Sequence, residues 1–245
     1  MAERQQILLR IRRALGRPLD HTLTRAGALP SSSSLEGILP PIPSEEALPK
    51  FEAELTKVAG VAHRAGDHQT LEEVLKAILS RSHAKDVVLS RNPLLAELKI
   101  EALLRAWGKG VSVWPDSGAG EASDASLRAF AEASFAATVG ITGVDFALAE
   151  TGSLVVTSRT EGAQMASLAP PVHVALYRRS QLVGSLDEVL EKLQSPRAPE
   201  RVGSGRSVVF ITGTSRTADI EQILIRGVHG PGEVHAILVE DECFT

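Results

Sequence analysis

The stretch VVFITGTSRTADIEQILIRGVHGPGEVHAILVE, Val208 to Glu240, decides the fold. Val208-Val209-Phe210-Ile211 is short, apolar and β-branched, as a buried parallel strand should be. It stops at Thr212-Gly213-Thr214-Ser215, a run of turn residues and backbone donors. From Arg216 the apolar positions Ile220, Ile223, Leu224 and Val228 recur at helical spacing. Asp219 and Glu221 fall in the first turns, where the positive end of a helix favours them, and an anion is favoured there for the same reason. A second strand, Val234 to Val239, follows the loop Gly227-Val228-His229-Gly230-Pro231-Gly232. Strand, anion-ready turn, helix and strand in that order make one unit of an α/β sheet.

The same alternation runs upstream. Helical spacing joins Phe51, Leu55, Val58 and Val61, and again Leu71, Val74, Leu75, Ile78 and Leu79. Strands are expected at Asp86–Ser90, Val111–Trp114, Phe135–Val139, Leu154–Thr157 and Val172–Tyr177, with helices at Pro93–Trp107 and Ala125–Ala133. This pattern predicts an α/β fold, an open, mostly parallel sheet flanked by helices on both faces. Ligands of such sheets sit in crevices outside the carboxyl ends of the strands. No Gly-x-Gly-x-x-Gly follows a strand and no P-loop is present, so dinucleotide and nucleoside triphosphate binding are not supported.

Ahead of this domain, Ile7, Leu8, Ile11 and Leu15 form one stripe among Arg4, Arg10, Arg12, Arg13 and Arg17, a basic amphipathic helix suited to docking. Pro18 to Pro49, with Ser31-Ser32-Ser33-Ser34 and Pro40-Pro41-Ile42-Pro43, reads as an extended arm. The expected division is an N-terminal helix and flexible arm, 1–50, and an α/β domain, 51–245. A tethered helix permits partner binding or exchange between copies in a homo-oligomer.

Composition narrows the function. A net charge of −4 gives no footprint for nucleic acid, and 4% aromatics leave little for base stacking. No apolar run approaches the ~20 residues of a membrane span, and the first residues form no secretory signal; a cytoplasmic protein is expected. Cys243 is the single cysteine, so no internal disulfide can form. An iron–sulfur cluster needs about four thiolates, so this chain cannot hold one alone. Near the end of the chain, Cys243 reads as an exposed thiol.

Four ordered motifs carry a resemblance: Gly140-Ile141-Thr142; Ala149-Glu150-Thr151-Gly152-Ser153 before Leu154-Val155-Val156; Leu168-Ala169-Pro170-Pro171-Val172-His173; and Gly213-Thr214-Ser215-Arg216-Thr217 followed by Gly227-Val228-His229-Gly230-Pro231-Gly232. Over Phe135 to Val239 the chain resembles the lactate utilisation protein C family, whose shared module is the LUD domain. Thr214 departs from the proline of that pattern. The resemblance implies the fold of sugar-phosphate isomerases and CoA transferases. It implies a subunit of an L-lactate utilisation system that is not catalytic alone but belongs to a lactate-oxidising oxidoreductase complex. The chain then carries no cofactor of its own, and iron–sulfur clusters sit on partner oxidoreductase subunits. A stand-alone phosphosugar isomerase or acyl/CoA-transfer enzyme, or a non-catalytic scaffold, is the alternative.

Among single residues, Glu150 is a candidate general base or nucleophile, with Gly152 letting a ligand approach the backbone; equally, Glu150 to Ser153 reads as a hairpin turn. His229, in a rigid Gly-Pro turn, is a candidate proton carrier. A metal on His229, Glu233 and His235 is disfavoured, because Gly230-Pro231-Gly232 breaks any helix and His235 alternates on a strand. A small anionic ligand is expected on Arg216, whose guanidinium would sit beside free N–H groups, with Thr151, Gly152, Gly213, Thr214, Ser215, Thr217 and Gly230 around it. Gln164 and Ser167 are further polar groups of a loop, and Arg178 and Arg179 read as a strand end in solvent.

Overall fold

The computed structural model describes residues 42–115, 123–158, 164–194, 207–220, 223–227 and 229–244. The expected N-terminal helix and most of the arm lie outside these residues, as does Val228.

The chain order is α1 (Ser44–Lys57), β1 (Val61–Ala65), α2 (His68–Arg81), β2 (Asp86–Leu89), α3 (Pro93–Glu97), α4 (Ile100–Ala106), β3 (Gly110–Val113), α5 (Asp124–Ala136) and β4 (Val139–Gly143). It continues through β5 (Phe146–Leu148), β6 (Ser153–Thr157), α6 (Met165–Leu168), β7 (Val172–Arg178), β8 (Leu182–Val183), α7 (Leu186–Gln194), β9 (Val208–Ile211), β10 (Arg216–Ile220), β11 (Ile223–Arg226) and β12 (Glu233–Val239). A last 3-10 turn, Asp241–Phe244, ends the described chain.

Six strands form a parallel sheet in the order β1-β12-β7-β4-β2-β3. The strands at its centre are almost uniformly apolar because both faces are covered: Val234 to Val239 and Val172 to Tyr177 are buried without a break. On one face Leu71, Leu75, Ile78 and Leu79 of α2 meet Val174, Leu176, Ile237 and Val239, with Leu98, Ile100 and Leu104 around α3 and α4. On the other, Phe51 and Leu55 of α1 meet Ala175, Tyr177, Ala236 and Leu238. A second sheet, β8-β5-β6-β9, adds Ala147, Leu154, Val156 and Ile211 to that core. Its outer face packs Leu148, Val155 and Val183 on Val189 of α7.

Several expectations change. Arg216 to Val228 is not a helix where described: β10 and β11 form an antiparallel pair, with Arg216 opposite Arg226 and Ile220 opposite Ile223. Thr217, Ile220, Ile223 and Ile225 are β-branched, and Ile223 and Ile225 alternate, so the strand propensity of the segment overrides its helical spacing. β9 is a strand, but it pairs antiparallel with β6 and lies outside the parallel sheet. The strand expected at Phe135–Val139 is displaced to Val139–Gly143, and Phe135 ends α5 in solvent, 74% exposed. The helix at Pro93–Trp107 is broken at Lys99, whose φ is 53°. The arm stops earlier than Pro49, which lies inside α1; its missing N–H would have bonded only the carbonyl of Glu45, an exposed first-turn residue.

Cys243 is buried, 4% exposed, and its thiol donates to the Ala65 carbonyl at 3.4 Å. The terminal 3-10 turn folds back and places Cys243 and Phe244 on the α2 core. Arg178 and Arg179 are ion-paired, to Glu97 and Glu240.

Tyr177 packs edge-on against Phe51 at 5.4 Å between centroids, and its hydroxyl has no hydrogen-bond partner among the described residues. Burial, and then Glu52, push its phenol above the ordinary value. A buried hydroxyl without a partner is unfavourable, so Tyr177→Phe should leave stability unchanged or raise it by up to ~1 kcal/mol in urea denaturation; a clear loss would show that the hydroxyl is satisfied in solution.

Candidate functional site

The motif loops meet at the amino end of the parallel sheet. β5 and β6 form a hairpin whose turn carries Glu150, Thr151 and Gly152. The pairing of β6 with β9 then brings Ser153 beside Thr212: Thr151 Oγ1 lies 2.7 Å from Ser153 Oγ, which lies 2.7 Å from Thr212 Oγ1. These hydroxyls form a short hydrogen-bonded chain.

Two glycines press these loops onto α1. Gly152 has φ +65°, and a Cβ there would fall 2.2 Å from the backbone N of Leu55. Gly213 has φ +75°, and a Cβ there would fall 2.1 Å from the carbonyl oxygen of Val58. The space left by Gly152 is therefore taken up by a helix backbone rather than held open for a ligand. Thr214 donates its N–H to Val58 O at 3.3 Å, a bond that proline cannot make. Its hydroxyl is buried without a partner among the described residues.

Glu150 is committed locally. Its Oε2 accepts the Leu186 N–H at 3.0 Å, and its own N–H donates to Gly184 O. It thus satisfies an orphan donor at the start of α7 and complements that helix end.

Ser215 ties the next two loops together. Its N–H donates to Pro231 O at 2.9 Å, its carbonyl accepts from Gly227 N–H at 3.0 Å, and its Cβ lies 3.3 Å from where Gly230 would carry one. Gly232 N–H donates to Pro171 O at 2.8 Å, which joins the Pro170-Pro171 segment to the start of β12. His229 is exposed within this loop, and Arg216 is exposed at the start of β10. Thr217 begins the hairpin with it. So the structure joins Thr151 to the Thr212–Ser215 loop, and that loop to Gly230, while Glu150 is engaged at the start of α7. No helix start lies at Arg216, so an anion there would rest on the guanidinium and not on a helix end.

His173 closes the third motif, and sequence reasoning gave it no role of its own. His173, fully buried on β7, places Nε2 2.9 Å from Thr142 Oγ1 on β4, and its Nδ1 has no partner among the described residues. Gly140 beside it allows α6 to close in, since a Cβ would meet Ala166 O at 1.8 Å. Burial, and secondarily the neighbouring His235, lower the His173 pKa to about 3. Gln164 and Ser167 are also buried at the start of α6: Gln164 donates to Val156 O of β6, and Ser167 donates to Gln164 O.

On the opposite face, His235 is buried between His63 and Arg81. Arg81 can only donate, so His235 accepts at Nε2, 3.0 Å away, carries its proton on Nδ1 and donates to His63 Nε2 at 3.1 Å. Glu233 lies 3.4 Å from both His235 and Arg81. Burial first, with Arg81 also contributing, lowers both imidazoles. Among the described residues no group of His, Cys, Asp and Glu is placed to hold a metal. At the carboxyl end of the sheet, a cavity of about 320 Å³ opens where β2, β4 and β7 stop. The Asn92-Pro93 helix start beside it was legible as a cap but not as a wall of a pocket.

The family model described as LUD domain matches residues 48–239. Lactate utilization protein C of Halalkalibacterium halodurans is 33% identical over 172 residues, 70% of each chain. Lactate utilization protein C of an Exiguobacterium species is 28% identical over 246 residues, covering 98% of this chain and 97% of the relative. Uncharacterized protein YkgG of Escherichia coli is 34% identical over 64% of each chain. The crystal structure of a DUF162 family protein from Deinococcus radiodurans superimposes with a TM-score of 0.54 at 20% identity, covering 81% of this chain and 99% of that one, which supports the fold.

Gly152→Ala must adopt a left-handed backbone and displace α1, so it should lose about 2–4 kcal/mol of stability; a near-neutral variant in thermal or urea melts would release Gly152 from this packing role. The buried imidazoles give a pH dependence of known sign. Their folded pKa values lie below the ordinary 6.5, so the unfolded chain takes up more protons on acidification. Stability is fully present above pH ~6.5 and should fall steadily toward pH ~3. His173→Gln should flatten that slope in denaturant midpoints measured against pH.

Proposed function

Because the chain belongs to the LUD domain family, we propose that it is a subunit of a system that oxidises L-lactate to pyruvate, with iron–sulfur clusters carried by partner subunits. The relatives named lactate utilization protein C support a role in lactate utilisation. The observation that carries the division of labour is the single Cys243. Lactate oxidation releases two electrons, and a cluster to accept them needs about four thiolates. Cys243 is moreover buried, with its thiol turned to Ala65 O. The engagement of Glu150 with α7 also supports a chain that is not an acyl-transfer enzyme by itself. No helix among the described residues is long and apolar enough to cross a membrane, which accords with work in the cytoplasm.

A small anion belongs to this reading, on Arg216. Arg216 is exposed at the start of β10, where its guanidinium can offer two parallel N–H donors to a carboxylate or phosphate.

The protein, tagged and recovered from cells grown on lactate, should bring down iron and lactate-dependent dye reduction; recovery without iron would sink the subunit reading. Arg216→Ala should weaken small-anion binding by about 1.5–3 kcal/mol, the range of a bond to a charged group, and an unchanged dissociation constant would remove Arg216 from the site.

A further inference from the structure

The cavity at the carboxyl end of the parallel sheet is walled by Pro93, Leu94, Glu97, Asp145, Arg178 and Ser180, among others, and the Asp145 carboxylate accepts the Thr157 N–H at 2.8 Å. After β2 the chain enters α3 and α4, whose leucines pack on one face of the sheet. After β4 it enters β5, whose Ala147 packs on the other. The two connections diverge and leave a crevice between adjacent strand ends, the place where open α/β sheets receive ligands.

Arg178 is the cation of this crevice. Its guanidinium carbon lies 4.1 Å from the centroid of the Phe244 ring, a contact that restrains the group, and Glu97 is its ion-pair partner. The Glu97 side chain is 52% exposed, and a pair so open to water contributes little to stability. Another carboxylate can therefore take its place on a guanidinium that is already oriented. The exposed Ser180 hydroxyl has no hydrogen-bond partner among the described residues, and Pro93 and Leu94 give the cavity an apolar side. We propose that this crevice binds a small hydroxy-carboxylate: the carboxylate on Arg178 in exchange for Glu97, the hydroxyl at Ser180, the aliphatic part against Pro93 and Leu94. The choice of acid as probe rests on the lactate-system reading; the placing of the site does not.

Calorimetric titration of the full chain with L-lactate, and with propionate as the analogue lacking the hydroxyl, tests this. Glu97→Gln removes the competing carboxylate and should bind lactate several-fold more tightly, while Arg178→Gln should bind about tenfold or more weakly, the loss of a charge-assisted contact. Propionate should bind more weakly than lactate to the unaltered chain and equally well to Ser180→Ala. A merely structural ion pair would make both Glu97→Gln and Arg178→Gln weaker or leave both unchanged, and either result overturns the proposal. So does the absence of saturable binding up to about 50 mM, above the millimolar range expected of so small a ligand. Should lactate bind in this pattern while no iron-containing partner is recovered from cells, the subunit reading falls and the site stands; should the partner be recovered while the titrations stay flat, the site falls and the subunit reading stands.

Discussion

Loops of the second sheet touch the backbone at the end of α1 in two places, at Leu55 by Gly152 and at Val58, the residue that follows the helix, by Gly213. Both glycines have positive φ, so each contact depends on the absence of a side chain twice over, for conformation and for room. From this approach follows the packing of the second sheet on the first. Phe51 and Leu55 are held between Tyr177 and Ala236 on one side and Leu154 and Ile211 on the other. Since α1 leads directly into β1, the same contact positions the edge strand of the parallel sheet. The Thr212–Ser215 loop, fixed at Val58 by the Thr214 N–H, can then reach Pro231 and organise the entrance to β12.

What could be read from the sequence tracks how completely an element is buried. β7 and β12 are apolar along almost their whole length and were legible as strands. β1, Val-Ala-His-Arg-Ala at an exposed edge, was absorbed into the preceding helical pattern, and β5 and β8 are too short to show alternation. β9 was legible as a strand but not its sheet, because a short β-branched run carries no record of the direction of its neighbour. That one ambiguity moved the candidate site. The Thr212–Ser215 loop does follow the carboxyl end of a strand, yet that strand lies outside the parallel sheet, and the loop packs at the opposite end from the crevice. Cys243 was misplaced for a different reason: proximity to the end of the chain says nothing of a last turn folding back on Ala65.

Polar groups inside the sheet are arranged to stay neutral. Arg81 supplies protons that His235 can only accept, which sets one tautomer, and that tautomer in turn donates to His63. A proton added to His235 would point at Arg81, so burial and local charge act in the same direction. On the other face His173 keeps one nitrogen on Thr142 and leaves the other without a partner among the described residues. The motifs Gly140-Ile141-Thr142 and Pro171-Val172-His173, far apart in sequence, are therefore a single internal contact between neighbouring strands.

Most of the residues that carry the family likeness thus have architectural duties. Gly140 admits α6, Gly152 and Gly213 admit α1, Pro171 and Pro231 offer carbonyls to neighbouring loops, and Glu150 closes the start of α7. A shared motif set of this kind speaks first for a shared assembly of two sheets, and only then for chemistry. The groups left facing outward from these motifs, Thr151, His229 and Arg216, are few and belong to loops and a hairpin rather than to the rigid centre of the sheet. By contrast, Arg178 is fixed at the end of a central strand and against an aromatic ring. Orientation of a ligand requires groups whose own positions are fixed, so the end of the sheet that the motifs do not mark is the one better built to orient a small molecule, while the motif end is built to hold the two sheets together.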